Sequence, residues 1–212
     1  MPTPDAIPTL LECRIQPKGN KPMALSHQRW YSVEEYHKIE EENPNSKFEY
    51  IDGEVRAMAG GTYEHTKIAV NLVTILNIHL EDSICQVVNS DIHVLPSGRN
   101  NPSYLPDVTV TCNPEDYQRG TKAIRSPSLI VEVLSQSTEL IDRTEKLRAY
   151  QACPSMQEYL IASTQRREIE AYRRGEDGEW NKTVYTAQDT ITLTTIGLSI
   201  PMSTIYRRTG ID

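Results

Sequence analysis

The chain has 212 residues, enough for one domain with a real hydrophobic core or at most two small ones. Its composition, 38% hydrophobic and 24% charged, is that of a soluble globular protein. The formal net charge of −7 argues weakly against a large non-specific phosphate-binding face, although acidic metal ligands would themselves contribute to it. We find no signal-peptide core and no stretch of transmembrane length, and we therefore expect a reducing, cytoplasmic setting without membrane contact.

The four cysteines lack the spacing of a zinc site. Cys13, Cys85, Cys112 and Cys153 include no CxxC or CxxxC pair, which argues against a zinc ribbon. Cys85 and Cys112 lie in apolar, strand-like sequence. They are predicted to be small buried hydrophobic residues and not partners in a disulfide.

The first half of the chain predicts a tail followed by alternating helical and extended segments. Residues 1–25 contain five prolines and little periodicity, which is typical of a flexible tail and leaves residues 26–212 as a single domain. The elements predicted next are a helix from Ser32 to about Glu42, a hairpin over residues 48–58, a helix from about Glu64 to Leu80 and a strand over residues 84–95.

The second half predicts more strands and fewer helices. In chain order these elements are strands at residues 105–111 and 129–134, a helix at 139–151, a strand at 156–162, a hairpin over 168–186, a weak strand or turn at 191–200 and a short closing helix at 201–206. The whole order predicts a mixed α/β (α+β) domain with one mixed central sheet flanked by helices.

Two carboxylates interrupt apolar strands in the middle of the chain. Asp107 follows Pro106, which lacks a backbone donor and suits a strand entry, and Glu132 lies inside the apolar run of residues 129–134. An isolated ionised carboxylate in a buried strand is costly, so it needs a partner or a metal. If the two strands are neighbours, these carboxylates can lie opposite each other, and their hard oxygens favour Mg²⁺ or Mn²⁺. Glu49, at the start of the hairpin, is a third candidate ligand.

A set of motifs follows in order along the chain: Phe48–Glu54, His65 at a helix start, Tyr104–Val108, Val131–Thr138, Asp142, Lys146, Tyr150 and Glu158–Ile161. This ordered set is similar to the PD-(D/E)XK nuclease superfamily and, more narrowly, resembles the Uma-two family of restriction-endonuclease-like proteins. The resemblance covers residues 32–164 closely. It implies a restriction endonuclease-like core and Mg²⁺-dependent hydrolysis of DNA without an organic cofactor. A homodimer is an expectation from double-strand cleavage by similar nucleases.

The chain departs from the superfamily pattern at one position, because Leu134 stands where the strand normally carries a lysine. Helix geometry offers a replacement. The seven residues from Glu139 to Lys146 return about 10 Å towards the strand at a rise of about 1.5 Å per residue. Lys146 can therefore lie near the height of Glu132, and the resemblance implies that it takes the role of the missing lysine.

The resemblance implies roles for seven side chains in all. The catalytic residues would be Asp107, Glu132 and Lys146, the metal ligands Glu49, Asp107 and Glu132, and the supporting residues Asp142, Tyr150 and His65. Other interpretations stay open, because Glu132 and Lys146 can also form a purely structural ion pair. The protein could then be an inactive nuclease-fold module that binds or regulates, or a metal hydrolase acting on a non-nucleic substrate.

Overall fold

The computed structural model describes residues 30–58, 60–97 and 101–212, so the predicted tail at residues 1–25 lies outside the described part. The helices are α1 (Val33–Glu42), α2 (Tyr63–His79), α3 (Glu139–Ile141), α4 (Leu147–Ala152) and α5 (Met202–Ile205), with a 3₁₀ turn at Pro114–Tyr117 and a π-helical turn at Asp142–Lys146. The strands are β1 (Phe48–Ile51), β2 (Glu54–Ala57), β3 (Gln86–Asn89), β4 (His93–Val94), β5 (Val108–Thr111), β6 (Ala123–Ile124), β7 (Pro127–Val133), β8 (Glu158–Ala162), β9 (Ile169–Arg174), β10 (Trp180–Tyr185), β11 (Thr190–Leu193) and β12 (Leu198–Pro201).

Within the described residues, six strands form one sheet in the order β10-β9-β8-β7-β5-β3. β7 and β8 are parallel, and the other neighbouring pairs are antiparallel. The parallel pair is joined by the helical residues 139–152, since parallel neighbours need a crossover connection. The predicted mixed sheet flanked by helices is therefore confirmed.

The side chains of β7 alternate between the two faces of this sheet. Leu129, Val131 and Val133 belong to the hydrophobic cluster that contains the buried side of α2. Ile130 belongs to the second cluster, with side chains from α4 and β8. Because successive strand residues point to opposite faces, Glu132 lies on the same face as Ile130 and towards the helical crossover.

The helix cap and the hairpin predicted near the start of the domain are both confirmed. Ser32 and Glu35 form the predicted capping box of α1. β1 and β2 pair as the predicted hairpin, and its two turn residues, Asp52 and Gly53, both have positive φ values, of 47° and 92°. This is the backbone conformation that the favoured two-residue hairpin turn requires.

Three predicted elements are modified in the structure. The strand over residues 105–111 begins only at Val108, because Pro106 has no N–H for the ladder. The strand over 84–95 is interrupted between β3 and β4, where Asn89 and Asp91 bond to each other in a local turn. The weak strand over 191–200 is a hairpin of β11 and β12.

The prediction for two of the cysteines is wrong. Cys85 and Cys112 are half-buried and joined by a disulfide. They come directly before β3 and directly after β5, and the antiparallel register that pairs Gln86 with Thr111 places the two cysteines opposite each other. The free Cys153 is buried. No helix in the described ranges combines the length and apolar character needed to cross a membrane.

Candidate active site

A buried lysine lies at the centre of the site. Lys146 Nζ is 3.0 Å from both Glu132 Oε1 and Glu49 Oε1. It is also 3.3 Å from Asp142 Oδ1, as an ion pair without a hydrogen bond. All four residues are at most 3% exposed. Because buried charges are stable only when they are paired, the lysine and the carboxylates depend on one another.

The crossover between β7 and β8 brings Lys146 to this position. Residues 139–152 are continuously helical, but the five residues Asp142–Lys146 form a π-helical turn. Such turns are uncommon and occur frequently at functional sites. Asp142 and Lys146 are four residues apart, and both side chains are buried against the strand that carries Glu132. Tyr159 on β8 donates a hydrogen bond of 3.0 Å to the backbone oxygen of Asp142, which fixes the turn on the sheet.

Aromatic side chains enclose the charged groups. Tyr150 donates from its hydroxyl to Glu132 Oε1 at 3.3 Å. Its ring packs against Tyr104, with 5.4 Å between centroids, and the Tyr104 ring lies 5.7 Å from Lys146 Nζ. Both tyrosines are at most 1% exposed. They therefore keep bulk water away from one side of the ion pairs, which strengthens the electrostatic interactions there.

Asp107 approaches from the neighbouring strand. It lies one residue before β5, and the β5–β7 register places it opposite Glu132. Its Oδ2 accepts a hydrogen bond of 2.7 Å from the backbone N–H of Val133 and lies 3.3 Å from His65 Nε2. His65 is in the first turn of α2, where its own N–H is capped by Thr62. One carboxylate oxygen is thus oriented by both the sheet and the helix.

Burial and mutual charge shift the ionisation of these groups. Burial raises the pKa of Glu132 well above its usual range, because Lys146 opposes this only in part. Burial alone would lower the pKa of Lys146, but the surrounding carboxylates outweigh it and raise that pKa well above its ordinary value. Burial also raises the pKa of Asp142. The hydrogen bond to Asp107 raises the pKa of His65. A site with four carboxylates and one ammonium favours an additional cation or proton.

The site opens into a cavity of about 860 Å³. Five of the predicted site residues line it: Glu49, His65, Asp107, Glu132 and Lys146. The wall also carries hydroxyl and cationic side chains, namely Lys47, Arg56, Ser135, Ser137 and Thr138, beside apolar side chains of α2 such as Val70 and Val73. A smaller cavity of about 350 Å³ beside Leu80 and Cys85 is lined by none of the predicted site residues.

The donor set fits a small hard cation held by few protein ligands. In the described part of the chain, no three His, Cys, Asp or Glu side chains already surround a common point where an ion could bind. Mg²⁺, however, is commonly held by one or two carboxylates and completes its shell with water and substrate phosphates. Asp107 and Glu132 provide two such carboxylates in one cavity. Oε1 of Glu49 already accepts the N–H of Leu105 at 3.0 Å and contacts Lys146.

The structure brings all seven predicted side chains into one region, but at two depths. Asp142 and Tyr150 lie behind the charged centre and do not line the cavity, whereas His65 does. The sequence reasoning missed Arg56, which lines the cavity and pairs with Glu145 of the π-helical turn. The signal was available, because the Asp52-Gly53 turn places Arg56 directly opposite Glu49 in the hairpin register.

Comparison with known proteins agrees with this architecture. Residues 33–203 match the family model described as "Uma2: Putative restriction endonuclease". The chain belongs to the Uma2 family. The matched range includes the whole helical crossover and every residue of the candidate site.

Two relatives of this Uma2 protein come from Synechocystis sp. (strain ATCC 27184 / PCC 6803 / Kazusa), and both are named as uncharacterized proteins. The protein slr1290 is 42% identical over 176 residues, which cover 83% of this chain and 91% of the relative. The protein sll1609 is 31% identical over 141 residues, which cover 66% of this chain and 79% of the relative.

A solved structure has the same fold as this Uma2 protein. It is the crystal structure of "a putative nuclease belonging to DUF820" from Anabaena variabilis ATCC 29413, with a TM-score of 0.66. The match covers 82% of this chain and 97% of the other, at 16% sequence identity. At that identity the likeness is evidence for the restriction endonuclease-like fold alone.

Proposed function

We propose that the protein is a Mg²⁺- or Mn²⁺-dependent endonuclease that hydrolyses phosphodiester bonds in DNA. The observation that carries the proposal is the 3.0 Å contact between Lys146 and Glu132, on a strand whose neighbour places Asp107 opposite. This arrangement supplies two hard carboxylates and one cationic donor in a shared cavity. Membership of the Uma2 family and the fold shared with a protein described as a nuclease support the same proposal.

Asp107 and Glu132 are the residues that would hold the metal. A cation bound there would lower the pKa of a coordinated water and offset negative charge on the phosphate. The protein fixes the two carboxylates beforehand. Oδ2 of Asp107 is held by the N–H of Val133, and Oε1 of Glu132 is held by Tyr150 and Lys146. Pre-oriented ligands of this kind lower the cost of assembling the site when substrate arrives.

Lys146 is the residue that would act on the reacting phosphate. Its ammonium lies beside Glu132 and lines the cavity, so it can donate a hydrogen bond to a phosphate oxygen or to the attacking water. In the reaction the water loses a proton and its oxygen bonds to phosphorus, while one of the two bonds between phosphorus and a sugar oxygen breaks. The departing sugar oxygen keeps the electron pair and takes up a proton from solvent. Tyr104 and Tyr150 would exclude other water from the buried side.

A plasmid cleavage assay tests the proposal. Wild-type protein, Glu132→Ala and the exposed-site control Glu41→Ala are each incubated with supercoiled DNA and Mg²⁺ or Mn²⁺. We expect nicked and linear products from the wild type and the control, and none with a chelator present. Glu132→Ala should be at least about 100-fold slower. Equal cleavage by wild type and Glu132→Ala would contradict the proposal.

A second candidate function is a catalytically inactive nuclease-fold protein that binds DNA or regulates a partner. It is favoured by Leu134, which packs in the second hydrophobic cluster at the position where a strand lysine would stand. Fluorescence anisotropy with a labelled DNA duplex separates the two candidates. Binding without cleavage in Mn²⁺ would favour this second function, and cleavage would exclude it.

A further inference from the structure

The β1–β2 hairpin makes two charged contacts with the helical crossover. Glu49 on β1 and Arg56 on β2 are directly opposite each other in the hairpin register, so their side chains lie on the same face. Glu49 contacts Lys146 at 3.0 Å. Arg56 forms a bidentate pair with Glu145, through its two terminal nitrogens at 3.0 and 3.1 Å. We call these two ion pairs the hairpin contacts.

The hairpin contacts fall on consecutive residues of the π-helical turn and have opposite polarity. The hairpin presents an acid to Lys146 and a base to Glu145. A shift of the helix by one residue would bring Arg56 towards Lys146 in one direction, or Glu49 towards Glu145 in the other, and either approach of like charges is unfavourable. The contacts therefore select one position of the turn, and with it one position of the Lys146 ammonium.

The hairpin is itself fixed to the rest of the site. The backbone of Tyr50 exchanges both hydrogen bonds with Ser103, at 3.0 and 2.8 Å. Oε1 of Glu49 also accepts the N–H of Leu105, in the segment that leads into Asp107. The hairpin thus connects Lys146 to the segment that carries Asp107, so the positions of the two residues are linked.

We propose that the β1–β2 hairpin positions Lys146 for the reaction through Glu49 and Arg56. In this arrangement Glu49 is a positioning residue and not a metal ligand. Among the residues that the structure describes, no three His, Cys, Asp or Glu side chains share a point where an ion could bind, so Glu49 does not complete one ion position together with Asp107 and Glu132. Oε1 of Glu49 instead contacts Lys146 and accepts the N–H of Leu105. Asp107, one residue before β5, lies opposite Glu132 across the sheet. The catalytic part of this inference rests on the proposed function, whereas the ligand assignment and the effect on the turn do not.

The ligand assignment is tested by Mn²⁺ titration calorimetry of the wild type, Glu49→Gln and Asp107→Asn. We expect Glu49→Gln to leave the Mn²⁺ affinity unchanged and Asp107→Asn to weaken it about tenfold or more. In the cleavage assay, Glu49→Gln should lower kcat by about 10- to 100-fold, with KM unchanged, because the lysine is misplaced. If Glu49→Gln weakens Mn²⁺ binding as much as Asp107→Asn does, Glu49 is a ligand and the inference is overturned.

The positioning role is tested at the second contact with a matched pair of variants. Glu145→Gln removes the negative charge that pairs Arg56 with the turn, whereas Glu54→Gln removes the charge of the other Arg56 partner, which lies outside the turn. Hydrogen exchange of residues 142–146 should speed up in Glu145→Gln and stay unchanged in Glu54→Gln. The charge-swapped double variant Arg56→Glu/Glu145→Arg should restore both slow exchange and kcat.

The two proposals fail in distinguishable ways. Full cleavage by Glu132→Ala would remove the proposed function, while the exchange measurement would still decide whether the hairpin fixes the turn. Unchanged exchange in Glu145→Gln, or a charge-swapped variant that recovers neither exchange nor kcat, would overturn the positioning role even if the wild type is an active nuclease.

Discussion

At Glu132, one carboxylate oxygen accepts hydrogen bonds from both Lys146 and Tyr150, while the strand around it packs against hydrophobic side chains. This residue could be singled out from the sequence because a charge in a short apolar run needs a partner. Asp107 could be placed opposite it because the Pro-Asp step marks a strand entry. The hairpin turn is enough to place Arg56 opposite Glu49, but the pairing of Arg56 with Glu145 could not be predicted, because the two are 89 residues apart and meet only when the hairpin docks.

A thermal-shift measurement tests whether Asp107 binds the metal ion. Mn²⁺ at about 100 times its Kd should stabilise the wild type by about 2.7 kcal/mol, which corresponds to a Tm rise of about 5–10 °C. Asp107→Ala should show a clearly smaller rise, because it removes one of two proposed ligands and weakens the ion's binding. The exposed-site variant Asp82→Ala should behave like the wild type. An equal rise in Asp107→Ala would mean that the ion binds elsewhere.

At the scale of elements, the helical crossover decides whether the site is complete. Its length and its approach to the strand could be predicted, because the rise per residue of a helix fixes how far seven residues return. Its π-helical turn could not be predicted. The turn is in contact with the hairpin and with Tyr159, and none of these contacts is local in sequence.

A second charged group joins the crossover to the outer strands of the sheet. Glu170 on β9 accepts from Arg143 of the π-helical turn, from Lys182 on β10 and from Tyr172. Burial acts to raise the pKa of Glu170, but these hydrogen bonds outweigh it and lower that pKa below its ordinary value. A carboxyl whose pKa is lower in the folded than in the unfolded protein stabilises the fold. This stabilisation is fully present above the unfolded-state pKa, near about 4.3, and is lost as the pH falls through the folded-state pKa.

The pH dependence of unfolding should therefore differ between the wild type and Glu170→Gln. We expect the variant to be less stable at pH 7 and the difference to shrink as the pH falls below about 4, because protonation removes the same ion pairs from the wild type. Urea unfolding between pH 7 and pH 3 measures this, with the exposed Glu176→Gln as control. A difference that stays constant with pH would contradict the assigned pairs.

At the scale of the whole molecule, one sheet separates two hydrophobic clusters, and the site lies on the face covered by the crossover. Fold class and most elements could be predicted because helical and strand periodicities are local signals. The Cys85–Cys112 disulfide could not, because it depends on β3 pairing with β5 across 27 residues of sequence. The same limit applies to the Arg56–Glu145 contact, which joins segments 89 residues apart.

Removal of this disulfide should lower stability without changing the fold. The disulfide closes a segment of 27 residues and so restricts the unfolded chain. This restriction adds up to about 3–4 kcal/mol to the free energy of unfolding. Cys112→Ser should therefore unfold at lower urea concentration than the oxidised wild type. The wild type treated with a thiol reductant should unfold like the variant. Identical unfolding of the oxidised and reduced wild type would show that the pair does not contribute.

In the proposed reaction, Lys146 on the helical crossover acts together with Glu132 and Asp107 on the sheet. The most direct test is the cleavage rate of Lys146→Met, compared with Lys38→Met on the exposed side of α1. Circular dichroism should first establish that both variants are folded, because unpaired buried carboxylates destabilise a protein. We predict that Lys146→Met is at least about 100-fold slower than the wild type, while Lys38→Met is unchanged. A folded Lys146→Met protein that cleaves DNA at the wild-type rate would contradict the account.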